Sequence, residues 1–248
     1  MATFLELMTE VRGNIIDLPT FVTNNVPSYV NRAIRELQNK HNFKVMEADS
    51  GVLTTAPDTR VLSAVPDNFK EYRGTPYVIN VQGDTRELIV GISRETAEHD
   101  VTTDAGGEAD PEMVIGPPRI ILQSEMTEQG ASNWEVWPLS DALSLYADGE
   151  YRIRVPYWKY LAELSGSTDT NWFTVNGPEW IIRTATAMGF AADHNLDSSA
   201  YWTQLAAAKY QEVVNLDKRY RLSGVQNLVP HGDVWGNKHV NTRAFWSR

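Results

Sequence analysis

NGPEWIIRTATAMGFAADHN, residues 176–195, is the stretch on which the fold turns. Pro178 suits the first turn of a helix, where its missing N–H leaves nothing unpaired. Ile181, Ala185, Met188 and Ala192 then recur every three or four residues, the spacing of one helix face. Its position gives it weight, because a long region of different pattern separates it from two helices at the start of the chain. In the first of those, TFLELMTEVRGNII, Thr3 and Glu6 have capping-box spacing, and Phe4, Met8, Val11 and Ile15 make one face. In the second, Pro27 sits in the first turn, and Val30, Ala33, Ile34, Leu37 and His41 continue a face. A fourth helix is predicted in DSSAYWTQLAAAKYQEVVNLDKRYRLSG. Ser198 or Ser199 caps it, Trp202, Leu205, Lys209, Val213, Leu216 and Tyr220 line it, and Gly224 ends it.

Between the helix pairs, VLTTAPDTRVLSAV, TPYVINV, RELIVGI, RIILQS, NWEVWPL and EYRIRVPYW are short, β-branched or aromatic runs punctuated by Gly, Pro and Asp. They predict an antiparallel β region. Within it, the acidic stretch from Arg94 to Met113 reads as an exposed loop or short helix. Neither helix pair can bury its apolar stripe alone. The expected architecture is therefore α+β: a four-helix bundle of two N-terminal and two C-terminal helices, with an inserted antiparallel β domain and an extended C-terminal arm. The expected boundaries are 1–50 for the first helix pair, 51–157 for the β region, 158–224 for the second pair and 225–248 for the arm.

Composition narrows the function. A hydrophobic fraction of 42% with 22% charged residues is that of a folded globular chain. The net charge of −10 speaks against a DNA-coating surface but allows a wall that DNA slides past without sticking. With no cysteine, the chain has no disulfide, thiol nucleophile or cysteine-held metal. The start lacks a signal-peptide pattern, and no apolar run is long enough to cross a bilayer. The expected compartment is the cytosol.

Catalytic motifs are missing. No HExxH, phosphate loop or nucleophile elbow occurs; Gly106-Gly107 is ringed by acids, and Ser165-Gly166-Ser167 reads as a turn. His194 falls at a helix end, where a cation is favoured. His231 and His239, with Asp233, make only a weak metal set. Glu125, Glu128 and Glu135 lie near β segments, but nothing pairs them as an acid and base. No catalytic, cofactor or metal residue is assigned. In NWEVWPL, Trp134 and Trp137 point to opposite faces of an extended strand, which predicts core on one side and an interface on the other. Trp172 and Phe173 read as core beneath the third helix.

The C-terminal stretch VQNLVPHGDVWGNKHVNTRAFWSR is irregular yet rich in large side chains. A segment with nothing to bury is normally poor in aromatics. It reads as a docking arm, with Leu228, Val229, His231, Trp235, Lys238, His239, Arg243, Phe245, Trp246 and Arg248 as its contact residues; Trp and Arg are the side chains that anchor best in a partner's pockets.

Several segments together resemble the head-to-tail adaptor (connector) proteins of tailed bacteriophages, which include the podophage tail accessory factors. These are TFLELMTEVRGNII, VPSYVNRAIRELQNKHNF, the Val65-Pro66-Asp67-x-Phe69 turn of LSAVPDNFKEYRG, WEVWPLSD, and YRIRVPYWKYLAELSGSTDTNWF with its Leu-Ser…Thr-Asn-Trp linker. The helix pair with Trp202 completes the set. The resemblance implies a structural virion protein of the neck, assembled in the host cytoplasm. It implies a ring of about a dozen copies beneath the portal protein, with a tail or nozzle protein below, DNA passing through the lumen without specific binding, and no membrane. The arm would reach the portal. Two other readings stand beside it: a cell-wall (peptidoglycan) hydrolase using two β-region carboxylates, and a glycan- or protein-binding module.

Overall fold

The computed structural model describes residues 2–55, 59–79, 85–104, 115–124, 132–140 and 151–226. It is mixed α and β, and the chain divides into two compact units: Met1–Lys44 with the chain from Leu164 onward, and Val45–Glu163. Seven α-helices occur among the described residues. They are α1 (Phe4–Asn14), α2 (Thr20–Asn24), α3 (Val26–Lys40), α4 (Arg94–Asp104), α5 (Trp172–Asn176), α6 (Pro178–Ala192) and α7 (Leu196–Gln226). All but α4 belong to the first unit.

Local chemistry explains where these helices begin. At α1 the Glu6 N–H donates to Thr3 Oγ1 and the Thr3 N–H to Glu6 Oε2, the predicted capping box. The Thr3 backbone N–H above all, with the Thr3 side chain second, holds the Glu6 carboxyl below its ordinary pKa. The next two amides, Phe4 and Leu5, donate to the carbonyls of Asp169 and Ser167. That loop is itself braced by the Asp169 carboxylate, which accepts from the Ser165 and Gly166 amides at 2.9 and 2.7 Å. Prolines open α3 and α6 as expected. The cap of α7 differs from expectation: Asn195 Oδ1 accepts from the Ser198 N–H, so the helix starts before Ser198 and Ser199. Its end differs too. The helix passes Gly224 and reaches Gln226, because a glycine inside a helix costs only about 1 kcal/mol, too little to stop one that is otherwise continuing.

The helical unit is organised around α6. It packs against α1, α3 and α7, with α2 and α5 also on it, while α1 packs on α3. Trp180, Ile181, Ile182, Thr184, Ala185, Thr186, Ala187 and Gly189 are all buried, so α6 has core on most of its circumference. The expected face of α1 holds at Phe4, Val11 and Ile15, with Leu7 buried more deeply than Met8. On α7 the buried face is Ala206, Val213, Val214 and Asp217, rotated from the predicted stripe; Tyr220 is exposed.

The second unit holds twelve short strands among the described residues. In chain order they are β1 (Glu47–Asp49), β2 (Leu53–Thr54), β3 (Val61–Ala64), β4 (Phe69–Tyr72), β5 (Tyr77–Ile79), β6 (Thr85–Glu87), β7 (Ile115–Gly116), β8 (Ile120–Gln123), β9 (Asn133–Trp137), β10 (Leu139–Ser140), β11 (Arg152–Arg154) and β12 (Pro156–Lys159). They form sheets ordered β1-β12-β4, β2-β11-β5-β6 and β3-β9-β8, all antiparallel. The pair β7–β10 is parallel, a departure from the expected all-antiparallel region. The run YRIRVPYW serves two sheets: Arg152–Arg154 pairs with β2 and β5, then Pro156–Lys159 pairs with β1 and β4. One core joins the sheets, with Val78, Leu88, Ile121, Trp134, Val136, Tyr151, Ile153, Val155 and Tyr157 packed together.

Trp134 and Trp137 do face opposite ways, but no interface is left on either side. Trp134 lies in that core, whereas Trp137 is buried with Ile120, Leu122 and, from α4, Ala97 and Val101. The acidic stretch thus begins as a helix whose few apolar residues cover the outer face of β8 and β9. The Arg60 guanidinium stacks 3.5 Å from the Trp137 ring centroid, a cation–π contact on the same side chain.

Candidate docking surfaces

The predicted contact residues of the arm, from Leu228 to Arg248, lie outside the described residues. What is described is the platform from which the arm departs. Helix α7 carries the chain to Gln226, and its last turns are fixed by a buried carboxylate.

Asp217 is 1% exposed on α7. Its oxygens accept from the Lys44 backbone N–H at 2.7 Å and from Arg221 Nε at 2.8 Å, with His41 Nε2 at 3.2 Å. Arg221 also donates to the Asn42 carbonyl. The segment 41–44, which leaves α3 for the β unit, is thereby held to α7 by side chain to backbone bonds. Aromatic packing supports the same place. The Phe43 ring meets His41 at 4.6 Å, Phe173 at 5.0 Å and Trp172 at 5.4 Å, and Trp172 meets Tyr220 at 6.3 Å. Phe173 is a core residue, as expected, whereas Trp172 is half-buried, and Asn171 caps α5 through Phe173 and Thr174. The returning segment is held as firmly: the Asn31 side chain on α3 donates to the Leu164 carbonyl at 2.9 Å and accepts its N–H at 3.0 Å.

Sequence reasoning missed both clamps. Asp217 occupies a position where an apolar residue would continue the buried face of α7. The available signal was an acid in register with Val213 and four residues before Arg221.

Two surfaces of the helical unit have the character of contact sites. One is a groove of about 440 Å³ between α3, α6 and α7, lined by Trp180, Met188, Ala191 and Ala207 together with the ion pair of Glu36 and Lys40, whose ammonium lies 5.7 Å from the Trp180 ring centroid. The other is the end of the unit where α1 turns into α2 and α6 into α7. A Cβ on Gly189 would lie 3.2 Å from Ile15 Cδ1, so the α1–α2 turn sits directly on the last turns of α6. Ile16, Phe21, Leu196 and Tyr201, at this end, are between 58% and 74% exposed, unusual for such large apolar side chains.

The residues weighed for chemistry do not come together. Glu125, Glu128, Gly106, Gly107, His231, Asp233 and His239 lie outside the described residues. Glu135 is a half-buried β9 residue opposite Val61 and Leu122. Ser165-Gly166-Ser167 is a turn organised by Asp169. His194 follows α6 with φ +59°, the left-handed position where a helix commonly ends. Among the described residues no three His, Cys, Asp or Glu side chains are grouped to hold a metal, and no helix is long and apolar enough to cross a membrane.

Compared with known proteins, the chain finds no match among individually curated sequences. The model of one protein family, described as SU10 adaptor protein, matches residues 2–228, which takes in both compact units.

Proposed function

The chain belongs to the SU10 adaptor protein family, which makes it a structural adaptor of a bacteriophage virion, and we propose that it forms the ring joining the portal to the tail. The observation that carries this reading is the extent of the match, from residue 2 to residue 228. In the proposed assembly the helical unit acts as a bundle whose lateral packing closes a ring of about a dozen copies. The exposed Ile16, Phe21, Leu196 and Tyr201 supply apolar area for that packing. The arm from residue 227 docks on the portal protein through Trp235, Phe245 and Trp246. A tail or nozzle protein binds beneath. DNA passes through the lumen, and the net charge of −10 keeps it from adhering. Neither the portal nor DNA asks for chemistry from this chain.

The test is light scattering of the purified protein alone and mixed with its portal, for the full chain and for a chain ending at Gln226. Ending at Gln226 keeps α7 whole, whereas ending at Gly224 would clip it. A large stoichiometric complex with full-length protein, absent with the shorter chain, is the expected result. Equal portal binding by both would remove the arm from the docking reaction.

A further inference from the structure

Helix α4 lies on the β unit, and little in its own chemistry sustains it. It has 11 residues, short of the roughly 12–15 below which an isolated helix is marginal. Thr96, Val101, Thr102 and Thr103 are β-branched, which lowers helix propensity. Its ion pair places Arg94 before Glu98, the less favourable order along a helix. Its last turn holds no basic residue to meet the negative pole of the dipole. The helix therefore depends on packing, and it packs through Ala97 and Val101, two small side chains that bury little apolar area. Among the described residues no other element packs extensively on α4.

What α4 covers is larger than what it brings: Ile120, Leu122 and Trp137 lie buried beneath it. The Trp137 indole N–H has no acceptor among the described residues, so no polar bond from that ring holds the helix down. The patch does not need α4 for its own placement. Strand β9 pairs with both β3 and β8, and Arg60, from the chain before β3, stacks on the Trp137 ring. The entry to α4 has the parts of a pivot. Ile89 is fixed to β8, its N–H donating to the Arg119 carbonyl at 2.8 Å and its carbonyl accepting from the Ile121 N–H at 3.0 Å. Two residues on, Gly91 stands at φ +76°, with open space where a Cβ would be. Ser93 Oγ then accepts from the Thr96 N–H, which keeps the first turn capped wherever the helix lies.

We infer that α4 is a lid. Turning about Gly91, it lifts from β8 and β9 as a unit while both strands stay folded, and bares an apolar patch centred on Trp137. The β unit thus has a closed and an open form that differ in exposed apolar surface. Elements held by few buried contacts are those that open locally, ahead of the core.

Amide hydrogen exchange of the unmodified full chain, read by mass spectrometry across a series of low urea concentrations, tests this. The α4 amides should exchange about 100-fold faster than those of β8 and β9, and should respond little to urea, because lifting a lid exposes far less surface than unfolding the unit. Val101→Ala should speed α4 exchange about tenfold and leave β8 and β9 unchanged. Exchange of α4 at the rate and with the urea response of β8 and β9 would overturn the proposal, since the helix would then leave only when the sheet unfolds. The absence of native cysteine supplies the second measurement. Ala97 is buried and Glu95 exposed on the same helix. In single-cysteine chains, Ala97→Cys should react with a thiol reagent about 100-fold more slowly than Glu95→Cys, at a rate that low urea does not change. Equal rates would overturn the proposal from the other side, by showing that no closed form exists. Both measurements use the chain alone, so their failure leaves the portal experiment untouched.

Discussion

Replacing Asp217 with Asn removes the charge that gathers three donors at the base of α7. The substitution is nearly isosteric, so it isolates electrostatics and hydrogen bonding from packing. Two of the contacts have good geometry: Lys44 N–H at 2.7 Å, a neutral donor, and Arg221 Nε at 2.8 Å, a charged one. A hydrogen bond involving a charged group contributes about 1.5–3 kcal/mol, and breaking one side of a buried charged network costs about 3–5 kcal/mol. The Arg221 side chain is 36% exposed, so water recovers part of its loss, which places the expected cost near the lower bound, about 3 kcal/mol. The assay is urea unfolding of the full chain, followed by far-UV circular dichroism, which reports mainly the helical unit. The companion variant Arg221→Ala should be milder, and the double variant should lose less than the two singles combined, since both act on one network. A loss below about 0.5 kcal/mol for Asp217→Asn would refute the reasoning, because surface changes alone reach that size.

Three further outcomes follow from local geometry. Burial pushes the Tyr72 phenol up to about 12, with the Trp134 side chain opposing the shift. The folded pKa exceeds the unfolded one near 10, so this contribution is intact below pH 10 and is lost as pH rises from 10 through 12. Tyr72→Phe should flatten that alkaline decline, by about 2 kcal/mol at its end, in unfolding measured against pH. His194→Gly relieves a side chain at φ +59° and should raise stability by about 0.5–1 kcal/mol by the same urea assay. Gly189→Val sets branched carbons where a Cβ already meets Ile15 at 3.2 and 3.3 Å, and should cost about 1–3 kcal/mol.

Much of the helical unit was legible because its signals are local. The Thr3–Glu6 capping box, Pro27, Pro178 and the three-and-four spacing of α1, α3 and α6 each act within a turn or two of chain. Where the reading went astray, a distant partner had decided. The face of α7 was misplaced because its central buried residue, Asp217, is charged and is compensated by Lys44, far away in sequence. One of the two strand tryptophans was expected at an interface because nothing in NWEVWPL reveals that Ala97 and Val101 will cover Trp137. The parallel pairing of Leu139 with Ile115 belongs to the same class. For the candidate site, the sequence pointed to the arm, while the groove and the apolar end depend on which helices α6 touches, and single-chain periodicity does not contain that.

The two clamps have a consequence for how such a protein changes over time. At one junction the helical unit grips the backbone of 42–44, through Asp217 and Arg221; at the other Asn31 grips Leu164. Both grips use the main chain at the unit's own exits, which every residue type but proline offers. The exits from the helical unit are thus held by backbone geometry, so side chains along 42–44 and at 164 can change in the course of evolution without loosening either exit.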